Sequence, residues 1–136
     1  MSRPTPFLHP VNVRYLEVDV QGVVFNMWYL AYLDDAMTAF LGAGGLPYGE
    51  LVAAGYDVQV VHTEVDWHGP LRFGDRAAVQ VDVARMGRTS FTLDFEVTSS
   101  TGVAAKAATV YVAVRTDGTG KCEIPAVLVA ALEPPG

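Results

Sequence analysis

Apolar and polar residues alternate along four stretches in the second half of the chain, and this alternation predicts four β-strands. The predicted strands span residues 56–68, 76–86, 89–99 and 103–115. The third has the clearest period of two, with Phe91 and Leu93 on one face and Thr92 and Asp94 on the other. The fourth is apolar on both faces, which favours a position in the centre of a sheet or at an interface.

The first half of the chain contains a long apolar segment, Val23–Leu41, for which we predict a helix. The segment has almost no polar face, so most of its surface is expected to be covered by other parts of the protein. Asn26 is the expected N-cap, and the helix is expected to end at Gly42. A strand at 11–18 and a turn at 19–22 precede it. Shorter helices are predicted at Tyr48–Ala54 and Ala126–Leu132.

These elements predict an α+β protein with one antiparallel sheet. Strands that follow one another through short turns pair antiparallel, and the apolar face of such a sheet must be buried against another element. The Val23–Leu41 helix is the element available, so we expect a sheet of about five strands that wraps around it. The 136 residues have the size of one domain, structured over about residues 11–131 and with loose ends.

Composition and charge narrow the classes of function. Nine Lys and Arg against 15 Asp and Glu give a formal net charge of −6, which disfavours binding to nucleic acid because that requires a basic surface. A single cysteine, Cys122, excludes an intramolecular disulfide and a zinc site built on cysteines. No apolar run has the length of a membrane span or of a signal-peptide core. We therefore expect a soluble, cytoplasmic protein whose small size favours a cleft shared between subunits.

One predicted strand carries residues that could bind a metal. Alternate residues of a strand share a face, so four side chains could converge on one ion. These side chains belong to His62, Glu64, Asp66 and His68. The simpler interpretation, which we favour, is a face of the sheet exposed to solvent or to another subunit.

Three further residues have reactive side chains. Asp34 and Asp35 could form a carboxylate site, but we favour the interpretation that they are the polar edge of a buried helix or pair with an arginine across an interface. Cys122 lies near the end of the chain without an evident partner, so a role as nucleophile is disfavoured.

A specific motif surrounds the start of the predicted helix. Residues 19–30 read DVQGVVFNMWYL. They resemble the signature of the 4-hydroxybenzoyl-CoA thioesterase family, including its Tol-Pal-associated short-chain acyl-CoA branch, and the resemblance continues through residues 69–75 and 86–91. It covers about residues 11–131. The resemblance implies the hotdog fold, an edge-to-edge dimer, and hydrolysis of acyl-CoA or aroyl-CoA thioesters.

The resemblance also implies catalytic roles. Asp19 corresponds to the catalytic carboxylate of the family, and Asn26 falls in the first helical turn, where a backbone N–H polarises the thioester carbonyl. A helix N-terminus offers free donors and a partial positive charge for that purpose. Whether Asp19 attacks the carbonyl or activates a water stays open. The short-chain branch often has histidine where this chain has Asn26, which weakens the assignment to that branch.

The resemblance also implies a second set of residues, which would bind the substrate. The residues that match the segment near the pantetheine and nucleotide arm of CoA are Arg88, Thr89 and Ser90. Arg72 is a further candidate for a phosphate contact. Trp28 and the partner's strand 56–65 are expected to face the substrate. The resemblance implies no metal and no cofactor beyond CoA itself. We expect a homo-oligomer, either a dimer or a tetramer.

Two other functions compete with hydrolysis. The same fold can serve as a non-catalytic binding module or sensor for acyl-CoA or an acyl carrier, since a fold does not determine function. The presence of Asp19 argues against this alternative. A hydratase or dehydratase on this fold uses a histidine on the helix, and Val23–Leu41 contains none.

Overall fold

The computed structural model describes residues 3–133. In chain order the elements are β1 (Phe7–Asn12), α1 (Trp28–Ala43), α2 (Tyr48–Ala53), β2 (Tyr56–Trp67), β3 (Arg76–Met86), β4 (Ser90–Ser99), β5 (Gly102–Arg115), β6 (Gly120–Lys121) and α3 (Ala126–Leu132). The tail Pro134–Gly136, expected to be loose, lies outside the described residues, as do Met1 and Ser2. No helix within 3–133 combines the length and the apolar character needed to cross a membrane.

All six strands form one antiparallel sheet. The order across it is β1-β3-β4-β5-β2, with the short β6 beside β5. With α1 packed against the sheet, this arrangement confirms the predicted α+β hotdog fold. The expectation that successive strands pair is wrong for β2, which pairs with β5 instead of β3. The connection 68–75 passes the start of α1, where the Leu71 carbonyl accepts the Val24 N–H at 2.7 Å, and so separates β2 from β3.

Helix α1 buries one long face and leaves the other open. The buried residues of α1 are Tyr29, Tyr32, Leu33, Ala36, Met37, Phe40 and Leu41. The prediction that most of the helix surface is covered is therefore wrong, because Leu30, Ala31, Asp34 and Asp35 are exposed within the single chain. Leu30 is 50% exposed.

The first strand lies earlier than predicted. Strand β1 spans Phe7–Asn12, and a 3₁₀ turn at Tyr15–Glu17 occupies the second half of the segment predicted as strand 11–18. The prolines of this region, including Pro10 inside the strand, conceal it in the sequence pattern. An edge strand tolerates a proline because one row of its N–H groups has no partner in the sheet.

Arg3, in the N-terminal segment that we expected to be loose, contacts the body of the fold. The Arg3 guanidinium is buried and donates to the Phe40 carbonyl at 3.1 Å and to the Ala131 carbonyl at 2.6 Å. It lies 3.6 Å from the centre of the Phe40 ring. Gly44 is required beside it, because a Cβ there would collide with the Ala131 carbonyl and the Arg3 guanidinium. Arg3 thus joins the C-terminal ends of α1 and α3.

The outer face of the sheet, away from α1, is acidic. A groove of about 330 Å³ crosses it. The charged residues that line the groove are Glu64, Asp66, Asp82, Asp94, Glu96 and Lys106. Asp82 of β3 lies directly opposite Asp94 of β4, a like-charge pairing that destabilises a sheet. Lys106 lies opposite both Glu96 and Asp66.

Candidate active site

Asp19 lies on a tight hairpin whose two limbs meet at an isolated antiparallel bridge between Val18 and Val24. Its carbonyl accepts the Gly22 N–H at 2.9 Å, and its carboxylate Oδ1 accepts the Gln21 N–H at 2.8 Å. No donor within residues 3–133 is hydrogen-bonded to the other carboxylate oxygen. The hairpin therefore holds a half-buried carboxylate with one oxygen available for chemistry.

The prediction that Asn26 caps α1 is wrong. The helix begins at Trp28, Met27 occupies the N-cap position with helical backbone angles, and the exposed Asn26 side chain makes no hydrogen bond to a described residue. The cause lies just upstream. The Val24 N–H is bonded to the Leu71 carbonyl, so the chain remains extended where the apolar pattern predicts helix.

The two residues just before α1 present free backbone donors. The chain enters the helix through hydrogen bonds between residues three apart, from the Trp28 N–H to the Phe25 carbonyl at 3.0 Å and from the Tyr29 N–H to the Asn26 carbonyl at 3.3 Å. Within the described chain, no acceptor takes the N–H of Asn26 or Met27. Both residues are exposed, so these two N–H groups are available at the positive end of a 16-residue helix.

Glu17 connects this hairpin to the body of α1. Its carboxylate is only 3% exposed and accepts three hydrogen bonds, from the Tyr32 hydroxyl at 2.7 Å, the Arg14 N–H at 2.9 Å and Arg14 Nε at 2.7 Å. The guanidinium of Arg14 lies 5.8 Å from the centre of the half-buried Trp28 ring. Burial of the Tyr32 hydroxyl and its bond to Glu17 raise the pKa of Tyr32, so it remains a donor at neutral pH.

An apolar cavity of about 310 Å³ lies along α1, starting near its first turn. The residues that line it are Leu30, Leu33, Asp34, Val60, Thr63, Thr109 and Tyr111. Leu30 and Val60 are each about half exposed, so the cavity opens at the edge of the sheet formed by β2. The Thr63 hydroxyl donates to Thr109 Oγ1 at 3.1 Å across the floor. Asp19 is not part of this lining.

Asp34 lines this cavity and a second, more polar one of about 390 Å³. In the second cavity, the Tyr48 hydroxyl donates to Asp57 Oδ2 at 2.7 Å. Partial burial of Asp34, together with the charges of Asp35 and Asp57, raises the pKa of its carboxyl. Asp34 is therefore an exposed polar residue on the open face of α1 and also part of the wall of both cavities.

Three of the predicted CoA-binding residues, Arg88, Thr89 and Ser90, lie far from Asp19 in the same chain. The Asp19 hairpin follows Asn12, which pairs with Arg76 at the start of β3, whereas Arg88 follows the end of β3. The 11 residues of β3 span about 33 Å at about 3.3 Å per residue. Arg88 is exposed and bonded to Glu123 at 3.1 Å. Thr89 and Ser90 share the turn with Arg88, so one chain holds the predicted site residues in two separate groups.

Arg72 belongs to the group near Asp19. It follows Leu71, whose carbonyl is bonded to the hairpin, and its N–H donates to Asp75 Oδ2 at 2.8 Å. Its side chain is exposed.

On β2, His62 contacts Glu64 at 3.2 Å, but the described residues contain no cluster of three or more groups suited to a metal. The absence of a metal from the reaction stays a prediction.

The cavity residues were not identified from the sequence. They come from α1, β2 and β5, and only the pairing of β2 with β5 brings Val60 opposite Tyr111. The one local indication was the apolar residue Leu30 on a helix face that also carries Asp34.

Cys122 is buried and free, with its N–H bonded to the Ala113 carbonyl at 3.0 Å, which gives it a place in the core.

Comparison with known proteins identifies the family. The family model of the thioesterase-like superfamily matches residues 13–132. The chain is 27% identical over 128 residues to a 1,4-dihydroxy-2-naphthoyl-CoA hydrolase of Nostoc punctiforme, covering 93% of this chain and 86% of that protein. It is 30% identical over 86 residues to the acyl-CoA thioester hydrolase YbgC of Escherichia coli, covering 63% of this chain and 64% of that protein.

The fold agrees with this assignment. A solved structure of a hypothetical protein from Aquifex aeolicus superposes with a TM-score of 0.89 at 26% sequence identity, covering 94% of this chain and 100% of that chain. The matched residues 13–132 include the Asp19 hairpin, α1 and every strand after β1. The chain belongs to the thioesterase-like superfamily.

Proposed function

We propose that the protein hydrolyses acyl-CoA or aroyl-CoA thioesters with Asp19 as the essential carboxylate. One observation carries the proposal: the hairpin of Asp19 leads directly into the first turn of α1, so a free carboxylate oxygen and two free N–H groups belong to one short segment. Membership of the superfamily supports a thioester substrate. The activities named for the Nostoc and Escherichia coli relatives support CoA as the thiol.

The chemistry follows from these groups. The N–H groups of Asn26 and Met27 stabilise the negative charge that develops on the thioester oxygen, and the helix dipole adds to their effect. Asp19 either attacks the carbonyl carbon to form a mixed anhydride or takes a proton from the attacking water. In both routes the C–S bond breaks, the thiol of CoA leaves with a proton, and one water is consumed to form the free acid.

The acyl group would occupy the apolar cavity along α1. Leu30 of its lining stands about one helical turn after the free N–H groups, which is about 5 Å along the axis. A carbonyl held by those N–H groups therefore directs its acyl chain toward Leu30 and Leu33. The lining suits an aromatic ring or a short to medium aliphatic chain.

The complete site would need a second copy of the chain. Strand β2 is an edge of the sheet and exposes Val60, Val61 and Trp67, which are 56%, 57% and 50% exposed. A long apolar edge of this kind is usually paired. Antiparallel pairing of β2 with its copy about a two-fold axis places the Arg88 end of one sheet beside the Asp19 end of the other. Arg88, Thr89 and Ser90 of the second copy would then contact the phosphates of CoA.

The essential test is the Asp19→Asn variant. Asparagine keeps the oxygen that accepts the Gln21 N–H, so the hairpin is preserved while the charge is lost. We expect kcat to fall by about 10²- to 10⁴-fold, the range for a lost general base. Asp117→Asn is the control, because Asp117 Oδ1 likewise accepts the N–H of the residue two positions later, Thr119, on another turn of the chain. An Asp19→Asn enzyme with undiminished kcat would refute the mechanism.

The substrate class is tested by a thiol-release screen. The panel contains acyl-CoAs of increasing length together with benzoyl-CoA and phenylacetyl-CoA. Saturable binding without thiol release would favour the non-catalytic binding module instead. Protein groups and water suffice for the proposed reaction, so treatment with EDTA should leave the rate unchanged.

A further inference from the structure

Glu17 touches both limbs of the hairpin that carries Asp19. Through its carboxylate it is bonded to the Tyr32 hydroxyl on the body of α1 at 2.7 Å. Through its carbonyl it accepts the Phe25 N–H at 2.9 Å, one residue before Asn26. Glu17 precedes Asp19 by two residues. It therefore joins the limb that carries Asp19 to Tyr32 on α1 and to Phe25 on the other limb.

The position requires a carboxylate. Its three donors, the Tyr32 hydroxyl and the N–H and Nε–H of Arg14, point to the two oxygens of a side chain that is only 3% exposed. An amide of the same shape would turn an NH₂ group toward one of these donors and leave it without an acceptor. Burial raises the pKa of the Glu17 carboxyl, but the bonds to Arg14 and Tyr32 outweigh burial and lower it. Glu17 is therefore ionised at neutral pH.

We propose that Glu17 is a positioning residue that fixes the Asp19 carboxylate relative to the free N–H groups of Asn26 and Met27. This inference rests on the proposed thioesterase function. In this role Glu17 need not contact the substrate, because its buried carboxylate is bonded to Arg14 and Tyr32 and its carbonyl to Phe25. Its effect on the reaction passes through Asp19.

The proposal predicts an effect on kcat and little effect on KM. A displacement of about 1 Å between reacting groups can lower a rate by about 10²-fold. The binding of CoA by Arg88 and of the acyl group by the cavity does not depend on the hairpin. A residue that only stabilised the fold would lower the melting temperature and leave kcat per folded site unchanged.

The test compares Glu17→Gln with Tyr32→Phe, a milder change that removes one donor from the carboxylate and keeps the ring. Glu50→Gln is the control, because Glu50 is exposed on α2 and its side chain makes no described hydrogen bond. We expect kcat to fall by about 10²-fold in Glu17→Gln and less in Tyr32→Phe, with KM within about threefold. Hydrogen–deuterium exchange of residues 15–27 should rise in both variants.

Combination with Asp19→Asn tests whether Glu17 acts through Asp19. In that background, Glu17→Gln should cause no further loss of kcat, because the two changes remove one function. Full wild-type kcat in Glu17→Gln would overturn the proposal, whatever the exchange, and so would additive losses in the double variant. If the wild type hydrolyses no thioester but exchange still rises in both variants, the proposed function fails while the role of Glu17 in positioning the hairpin stands.

Discussion

The Asp19 carbonyl accepts the Gly22 N–H at 2.9 Å, and this bond closes the turn that carries the candidate catalytic carboxylate. Gly22 has φ of +79°, with nothing within 4 Å of the place where a Cβ would lie. Gly22→Ala therefore strains the backbone by about 1–2 kcal/mol without any steric clash. We expect lower kcat and a melting temperature reduced by a few degrees, measured by thiol release and thermal unfolding.

Gly118→Ala is the control for this prediction. Gly118 has φ of +86° in the turn between β5 and β6 and an equally open surrounding. It should show the same loss of stability with unchanged kcat. Equal kcat values for the two variants would contradict a role of the Gly22 turn in catalysis.

Asp19 and Arg88 should complement each other between subunits, because they lie at opposite ends of one sheet. Asp19→Asn and Arg88→Ala homodimers each have two defective sites, whereas a mixed dimer has one site with both native residues. After co-refolding at equal amounts, about one quarter of sites should be native if pairing about the two-fold axis is random. The measurement is kcat/KM of the mixture against the two separate variants. A mixture no more active than their average would refute the shared site.

Leu30 should set the size of the acyl group accepted. It lines the cavity and is half exposed, so its replacement alters the volume at little cost in stability. Leu30→Ala should shift the preferred acyl-CoA to longer chains, and Leu30→Trp to shorter ones, by about tenfold in kcat/KM per one to two methylenes. The acyl-CoA screen measures both. Identical profiles for the two variants would place the acyl group elsewhere.

Arg3 should contribute to stability and not to catalysis. Its guanidinium is bonded to carbonyls of α1 and α3 and covers the Phe40 ring, away from the Asp19 hairpin. Arg3→Ala should cost about 2 kcal/mol, which corresponds to about 5–10 °C in melting temperature. Arg3→Lys should recover only part, because an ammonium lacks the planar fork of donors. A melting temperature of Arg3→Ala equal to that of the wild type would contradict this role.

Asp34 should make stability depend on pH. Its pKa is raised in the folded state by partial burial and by Asp35 and Asp57, so the ionised form destabilises the fold. The folded state therefore gains stability from this group as the pH falls through its raised pKa. Asp34→Asn should melt at a higher temperature than the wild type at neutral pH, and the difference should shrink on acidification. A difference that stays constant with pH would contradict the assignment.

The sequence was sufficient for elements whose pattern is local. Strand β3 and helix α3 have the bounds that were predicted, because period-two alternation and a helix between Pro125 and Glu133 depend on neighbouring residues. The start of α1 was not predictable in this way, since Val24 is kept extended by a bond to Leu71, which is distant in sequence. The open face of α1 also escaped prediction, because the apolar pattern does not distinguish burial within a chain from burial between chains.

The candidate site also combines parts that a local sequence pattern predicts with parts that depend on contacts between distant residues. The motif was sufficient to propose Asp19 and the start of α1 as candidates, because both lie within one segment of 12 residues, 19–30. The cavity depends on the pairing of β2 with β5 across the sheet, which no local pattern specifies. The bond between Glu17 and Tyr32 was equally hidden, because Tyr32 lies on α1, 15 residues further along the chain.

The acidic groove limits how copies of the protein can stack. Asp82 and Asp94 lie directly opposite each other, and Lys106 already lies opposite Glu96. If the outer faces of two sheets packed against each other, the negative charges of both acidic grooves would be brought together in a space that excludes water. Larger assemblies should therefore grow sideways through strand edges or through the open face of α1, and layered packing of sheets should appear only at high salt or low pH.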